Sequence, residues 1–260
     1  MSATHVGDYL PVLRWLGVSK LEKQLIDLQE KRDLFMQELV DEIRCGMKNS
    51  FEGNAKKNLI QVLLSLQQSE PECYTDETIR SIVLTILAGG THTSICTLEW
   101  AMSLLLNNPS VLKKAQDEMD YCVGKDRYVK ESDMANLPYL ACIIKETLRM
   151  YPAGPLLPHE SSKDCMVSGP ERFEGVEGYG DDGFKLLPFG FGRRSCPGEN
   201  MALRMVGMAL GSLVQCFQWE RISESKVDMN EGNGISIPKA IHLVAMCQPR
   251  PIMLNLLSQL

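Results

Sequence analysis

The sequence predicts a mainly α fold with a minor β component. Three observations carry that expectation: apolar residues recur at helical spacing through most of 18–150, glycine and proline crowd 153–195, and short strand-like runs close the chain. At 260 residues, 44% hydrophobic and 23% charged, the chain is long enough for a sizeable core and is unlike a disordered polymer.

Residues 18–45 place Leu21, Leu25, Leu28, Phe35, Leu39 and Ile43 at helical intervals, which predicts an amphipathic helix. A polar loop, 46–58, follows. A short helix over 58–68 carries Leu59, Val62, Leu63 and Leu66 on one face. Thr75 suits the N-cap of a long helix running to about Asn107. Asn108 and Pro109 read as cap and first turn of the next helix, with Val111, Leu112, Ala115 and Met119 inward and Gly124 as its stop. Ser132 opens one helical turn, and Pro138 starts a helix that ends before Tyr151-Pro152. The span 153–195, acidic and glycine-rich at 171–182, reads as irregular chain laid over a scaffold. A last strong helix, 199–217, has Met201, Met205, Met208, Leu213 and Val214 as apolar positions. Runs at 235–237 and 241–246 around Pro238 predict a hairpin.

A net charge of −6 leaves no basic stripe to neutralise phosphates, so no nucleic-acid partner is expected. The nine cysteines are odd in number and include no C-x-x-C pair. Cys96, Cys142 and Cys216 lie inside helical apolar patterns, as reduced, buried thiols do. His5, His92, His159 and His242 lack zinc-ligand spacing to any cysteine pair. The first residues show neither a charged leader nor an apolar h-region, so no signal peptide is expected. The apolar stretch 81–106 is long enough to span a membrane, yet Gly89, Gly90, His92 and Glu99 interrupt it. A core helix, with no membrane span, is the expectation.

The segment Phe189-Gly-Phe-Gly-Arg-Arg-Ser-Cys-Pro-Gly198 stands just before the last helix. Gly190 and Gly192 allow a tight turn and close approach to a flat ligand. Arg193 and Arg194 suit carboxylates, which Arg meets bidentately. Cys196 precedes a helix N-terminus, where the dipole and free N–H groups favour thiolate. Pro197 and Gly198 set the start of the helix and leave room beside the sulfur. A buried structural thiol is the bland alternative for a lone cysteine, but the spacing F-x-x-G-x-R-x-C-x-G has too many fixed positions for chance.

Phe189, Gly192, Arg194, Cys196 and Gly198 resemble the haem-binding signature of the cytochrome P450 family of monooxygenases. The resemblance implies haem b (iron protoporphyrin IX) held by the Cys196 thiolate, whose electron donation favours O–O cleavage, and a propionate contact from Arg194. It also assigns two other constellations. Glu146 and Arg149 share a helix face and, with Arg172 of Pro170-Glu-Arg-Phe173, match the family's buried structural triad. In Ala88-Gly-Gly-Thr-His-Thr-Ser94, Gly90, Thr93 and Ser94 match a helix opening on the dioxygen side of the haem, with Thr93 as the alcohol that helps deliver protons. His92 occupies the position of the family's acid, and its proton affinity and geometry differ from a carboxylate's. Leu156-Leu-Pro-His-Glu160 resembles the segment over the haem, which makes Leu156 and Leu157 substrate contacts and His159 a propionate partner.

Residues 7–16, 159–165 and 185–192 are similar to plant microsomal members, with isoflavone and other phenylpropanoid hydroxylases as the nearest group. The implied fold is the C-terminal half of the cytochrome P450 fold, incomplete, as a single partial domain over 1–260. In it 1–152 is helical with the oxygen-site helix at about 75–107, 153–198 wraps the haem, and 199–260 is the last helix and hairpin. Gly169 abuts Pro170 where the family inserts a turn and a tryptophan-bearing segment, so an internal gap is expected there. The implied function is hydroxylation of a small lipophilic substrate with dioxygen and electrons from NADPH through a reductase partner. The alternative is a catalytically inactive, shortened member or decoy that binds haem poorly. The family's place is the cytosolic face of the endoplasmic reticulum membrane; read as lacking the anchor, this chain would be cytoplasmic.

Overall fold

This computed structural model describes residues 19–49, 57–156, 187–234 and 236–259. They fall into two compact units, Met1–Gly89 and Gly90–Leu260.

The first unit is built on α1 (Ser19–Asn49), α2 (Leu59–Ser69) and the opening turns of α3 (Asp76–Asn107). A reciprocal cap starts α2: Asn58 Oδ1 accepts from the Gln61 N–H and Gln61 Oε1 accepts from the Asn58 N–H, both at 2.9 Å. Thr75 caps α3 as predicted, its Oγ1 3.2 Å from the Thr78 N–H. Met36, Val40, Ile60, Leu63, Leu64, Ile79 and Val83 form the core.

Two expectations are corrected here. The chain stays helical through Gly46, because continuing to Asn49 lays Met47 against the core. That contact outweighs a glycine penalty of about 1 kcal/mol. The buried faces are also rotated from those predicted: Leu25, Leu28 and Phe35 of α1 and Leu59 and Val62 of α2 are exposed. With apolar residues around much of each helix, only the partner helix selects the inward stripe.

The second unit holds the rest of α3, α4 (Pro109–Cys122), a 3₁₀ helix (Glu131–Asn136), α5 (Pro138–Met150) and α6 (Glu199–Cys216). Strands β1 (Phe217–Arg221) and β2 (Ala245–Pro249) complete it, with a short terminal helix after them. Asn108 does not cap α4 with its side chain; its Nδ2 donates to the Leu104 carbonyl at 2.8 Å instead. Gly124 does stop α4, at φ +84°.

Leu105, Met119, Leu140, Leu210 and Val214 anchor the core. A Cβ at Gly207 would stand 3.0 Å from Met134 Sδ, and one at Gly211 3.4 Å from Leu140 Cδ2, so these glycines let α6 settle closely on its neighbours. By length and composition Asp76–Asn107 could cross a membrane. Its last turns bury Trp100, Ala101, Met102, Leu105 and Leu106, while Leu87 and Ile95 are exposed.

The tail departs from the predicted hairpin. The antiparallel pair joins 217–221 to 245–249, in register Phe217↔Pro249 through Arg221↔Ala245, and α6 ends at Cys216 so that Phe217 enters the ladder. Around Pro238 a single bridge, Glu231↔Lys239, replaces a strand pair; Ile235 lies outside the described residues.

Candidate functional site

Residues 187–198 form a loop that satisfies much of its own backbone. The Gly190 N–H donates to the Leu187 carbonyl (3.1 Å), the Ser195 N–H to the Gly192 carbonyl (3.1 Å) and the Cys196 N–H to the Phe189 carbonyl (2.8 Å). Gly190 and Gly192 both stand at φ +74°, the left-handed region that favours glycine, so the sharp return from Phe189 to Cys196 depends on them. Phe189 packs on the core, and Arg193 and Arg194 lie exposed in the 3₁₀ turn Gly192–Arg194. The Ala202 N–H then donates to the Gly198 carbonyl at 2.8 Å as α6 begins.

The product of this folding is an accessible Cys196 thiol at the start of a helix. A Cβ on Gly198 would lie 3.7 Å from Cys196 Sγ, so the glycine keeps that side of the sulfur open. Phe191, Met201, Leu203 and Met205 stand exposed on the loop and the first turns of α6. Of the apolar positions read from the sequence, Val214 is buried and Met208 and Leu213 pack on the core, whereas Met201 and Met205 face out; Val206 and Leu210 complete the inward face.

Helix α3 meets this region at Gly90, where a Cβ would come 3.1 Å from Met201 Cε. Ser94, one turn on, buries a hydroxyl that has no hydrogen-bond partner among the described residues. Thr93 is half-buried, and its carbonyl accepts from Thr97 Oγ1 at 2.9 Å. His92 Nε2 lies 2.6 Å from Ser236 Oγ and 3.8 Å from Cys96 Sγ.

An accessible thiol, an open apolar rim, two exposed arginines and an orphaned buried hydroxyl fit haem, an apolar macrocycle that carries carboxylates and takes an axial thiolate.

The other expected site residues divide. Glu146 and Arg149 pair bidentately at 2.7 and 2.6 Å, and the guanidinium holds the Glu146 carboxyl below its usual range. The pair is exposed (54% and 58%), not buried as the resemblance implied, because both project from the outer face of α5. Leu156 is 83% exposed. Arg172, His159 and Leu157 lie outside the described residues.

Of the thiols read as buried, Cys96 and Cys216 are, whereas Cys142 is exposed. Burial pushes both buried thiols up in pKa, so they stay protonated. Sequence reasoning missed Ser236 and Trp100. Trp100 stacks on Tyr151 (3.8 Å between centroids) and its Nε1 donates to the Ile237 carbonyl at 2.8 Å. No local pattern marks either role, since each depends on contacts across distant stretches of chain.

The family profile described as Cytochrome P450 matches residues 1–170 and 169–246, two segments that meet where Gly169 abuts Pro170. The (+)-piperitol/(+)-sesamin synthase of Sesamum radiatum is 46% identical over 289 aligned positions, covering 99% of this chain and 55% of that protein. With 289 positions against 260 residues, the relative carries a stretch that this chain lacks. An isoflavone 3'-hydroxylase of Medicago truncatula is 41% identical, covering 97% of this chain and 55% of its own length. An isoflavone 2'-hydroxylase of Glycyrrhiza echinata is 40% identical, covering 99% and 56%. The chain thus spans about half the length of the curated relatives it matches. Among solved structures, a zebra fish cytochrome P450 with abiraterone superposes with TM-score 0.69 at 25% identity, covering 84% of this chain and 59% of that one. The haem-thiolate signature, the fold and these relatives agree: the chain belongs to the cytochrome P450 family.

Proposed function

We propose that this chain carries the thiolate side of a plant haem monooxygenase that hydroxylates a small lipophilic substrate of the phenylpropanoid type. The observation that carries the reading is the accessible Cys196 thiol, presented by a self-bonded loop at a helix start. The substrate class rests on the sesamin synthase and isoflavone hydroxylases among the relatives.

Cys196 would hold the haem iron, Phe189, Gly192 and Gly198 would shape the seat around the sulfur, and Arg194 with His159 would meet the propionates. When bound, the haem supplies a redox iron that activates dioxygen with electrons from NADPH through a reductase partner. Thr93 and His92 would hold and pass protons, and Leu156 and Leu157 would border the substrate. Glu146, Arg149 and Arg172 would form a structural triad. The working location is the cytosolic face of the endoplasmic reticulum membrane.

The test uses the full chain expressed with haem supplied, reduced, and exposed to carbon monoxide. A thiolate-type shifted Soret band is expected, and Cys196→Ala should abolish it in a chain that still folds. A soluble, folded wild-type chain without the band would overturn the reading. A second reading, a non-catalytic member that holds haem weakly, is favoured by the exposure of Leu156. It predicts the band without NADPH consumption when reductase and a phenolic panel are added.

A further inference from the structure

Residues 230–234 and 236–240 make a close backbone approach to one another. The Gly232 N–H donates to the Pro238 carbonyl at 2.7 Å and the Ala240 N–H to the Asn230 carbonyl at 2.9 Å. A Cβ on Gly232 would stand 3.1 Å from the Lys239 carbonyl oxygen, and one on Gly234 2.9 Å from the Ser236 carbonyl oxygen. At Gly234 a side chain would force the backbone to shift, and at Gly232 the neighbouring backbone would have to give by a few tenths of an ångström.

The loop is tied to α3 through Trp100. The indole N–H bonds the Ile237 carbonyl, and the Lys239 amine lies 4.6 Å from the ring centroid on the residue that Tyr151 also stacks against. Lys239 is only 4% exposed and donates to the Asp228 carbonyl, which pins the far side of the loop. This arrangement delivers the Ser236 hydroxyl to His92, 144 residues away in sequence, at 2.6 Å. Cys96, one helical turn after His92, lies 3.8 Å from the same imidazole nitrogen.

We propose that Ser236 is a positioning residue for His92: its hydroxyl pins the ring through Nε2 and leaves Nδ1 as the nitrogen that exchanges protons at the site. The proposal deepens the proton-handling role given to His92 above and rests on that reading, but the pinning itself needs no haem. A hydroxyl both donates and accepts, so the bond is open to either tautomer of the ring and holds its orientation in both. An exposed histidine without such a partner would turn freely about its side-chain torsions. Here the partner is held by a clamped loop, so His92 keeps one orientation on the exposed side of α3.

The test is ¹H–¹H nuclear Overhauser spectroscopy on the full chain without haem. The wild type should show a fixed contact from the His92 ring C–H groups beside Nε2 to the Ser236 β-protons, assigned by its disappearance in His92→Gln. Ser236→Ala should lose that contact, while Ser236→Thr, which keeps the hydroxyl, should retain it. Gly234→Ala gives a second route, because it pushes on the Ser236 carbonyl and should also lose the contact. Near-ultraviolet dichroism of the Trp100–Tyr151 stack reports whether each variant stays folded. A wild type without the contact, or a folded Ser236→Ala chain that keeps it, would overturn the proposal. An unpinned His92 in a chain that gives the carbon monoxide band would sink only the pinning. A pinned His92 in a chain without the band would sink only the haem reading.

Discussion

Gln215 is wholly buried in the second unit and answers three backbone groups at once. Its Oε1 accepts from the Val129 N–H at 3.0 Å, and its Nε2 donates to the Gly124 and Arg127 carbonyls at 3.2 and 3.0 Å. Gln215→Leu keeps the volume and orphans those groups, and a buried unsatisfied group costs about 1–3 kcal/mol. The loss should be read in urea unfolding followed by Trp219 fluorescence. Arg250 plays a comparable part nearby, bidentate to Asp120 at 3.0 and 2.6 Å and bonded to the Gln215 carbonyl. Nothing about either residue type announces such a role, because each becomes structural only when distant backbone is folded against it. Cys196 differs. Its neighbours in sequence make its loop, so the thiol's setting was readable from ten consecutive residues.

At the scale of elements, the start of α3 shows how helix ends are held. The Asp76 carboxylate accepts from Gln67 at 2.8 Å, from Arg44 at 2.5 Å and from Gln37 at 3.1 Å. Those bonds, Gln67 and Arg44 foremost, bring its pKa down from 3.8 to about 2. A folded-state pKa below the unfolded value stabilises the fold above the unfolded pKa and is lost as pH falls through the folded one. Asp76→Asn should therefore weaken the first unit at neutral pH, and its deficit should close between about pH 4 and pH 2. The side chain is a third open to solvent, so screening keeps the effect near 1 kcal/mol. Urea unfolding by far-ultraviolet dichroism at several pH values would measure it. Helix identities and most ends were legible in the sequence, since caps and periodicity are local. The inward faces of α1 and α2 were not, since a helix with apolar residues on several sides takes its buried stripe from its partner.

For the whole molecule, Phe191, Met201, Leu203 and Met205 stand exposed on the loop and first helix turns that carry the accessible thiol. Large apolar side chains grouped on one such segment suit a surface that a ligand covers. If haem is that cover, adding it to the full chain should displace a hydrophobic dye such as anilinonaphthalene sulfonate, and Cys196→Ala should blunt the displacement. Equal displacement in both chains would mean that haem binds elsewhere or without the thiolate.

By itself the sequence determined the α-rich fold, its helix order, the family and the cysteine loop. These rest on caps, on residue spacing and on glycines at positive φ, all of which act within a few residues. Only the tertiary structure decided that β1 pairs with β2 and that His92 meets Ser236. Those contacts join stretches up to 144 residues apart, and no local pattern encodes which of several compatible surfaces will meet. The sequence marked His92 as the departure from its family's acid; the folded chain supplied its partner.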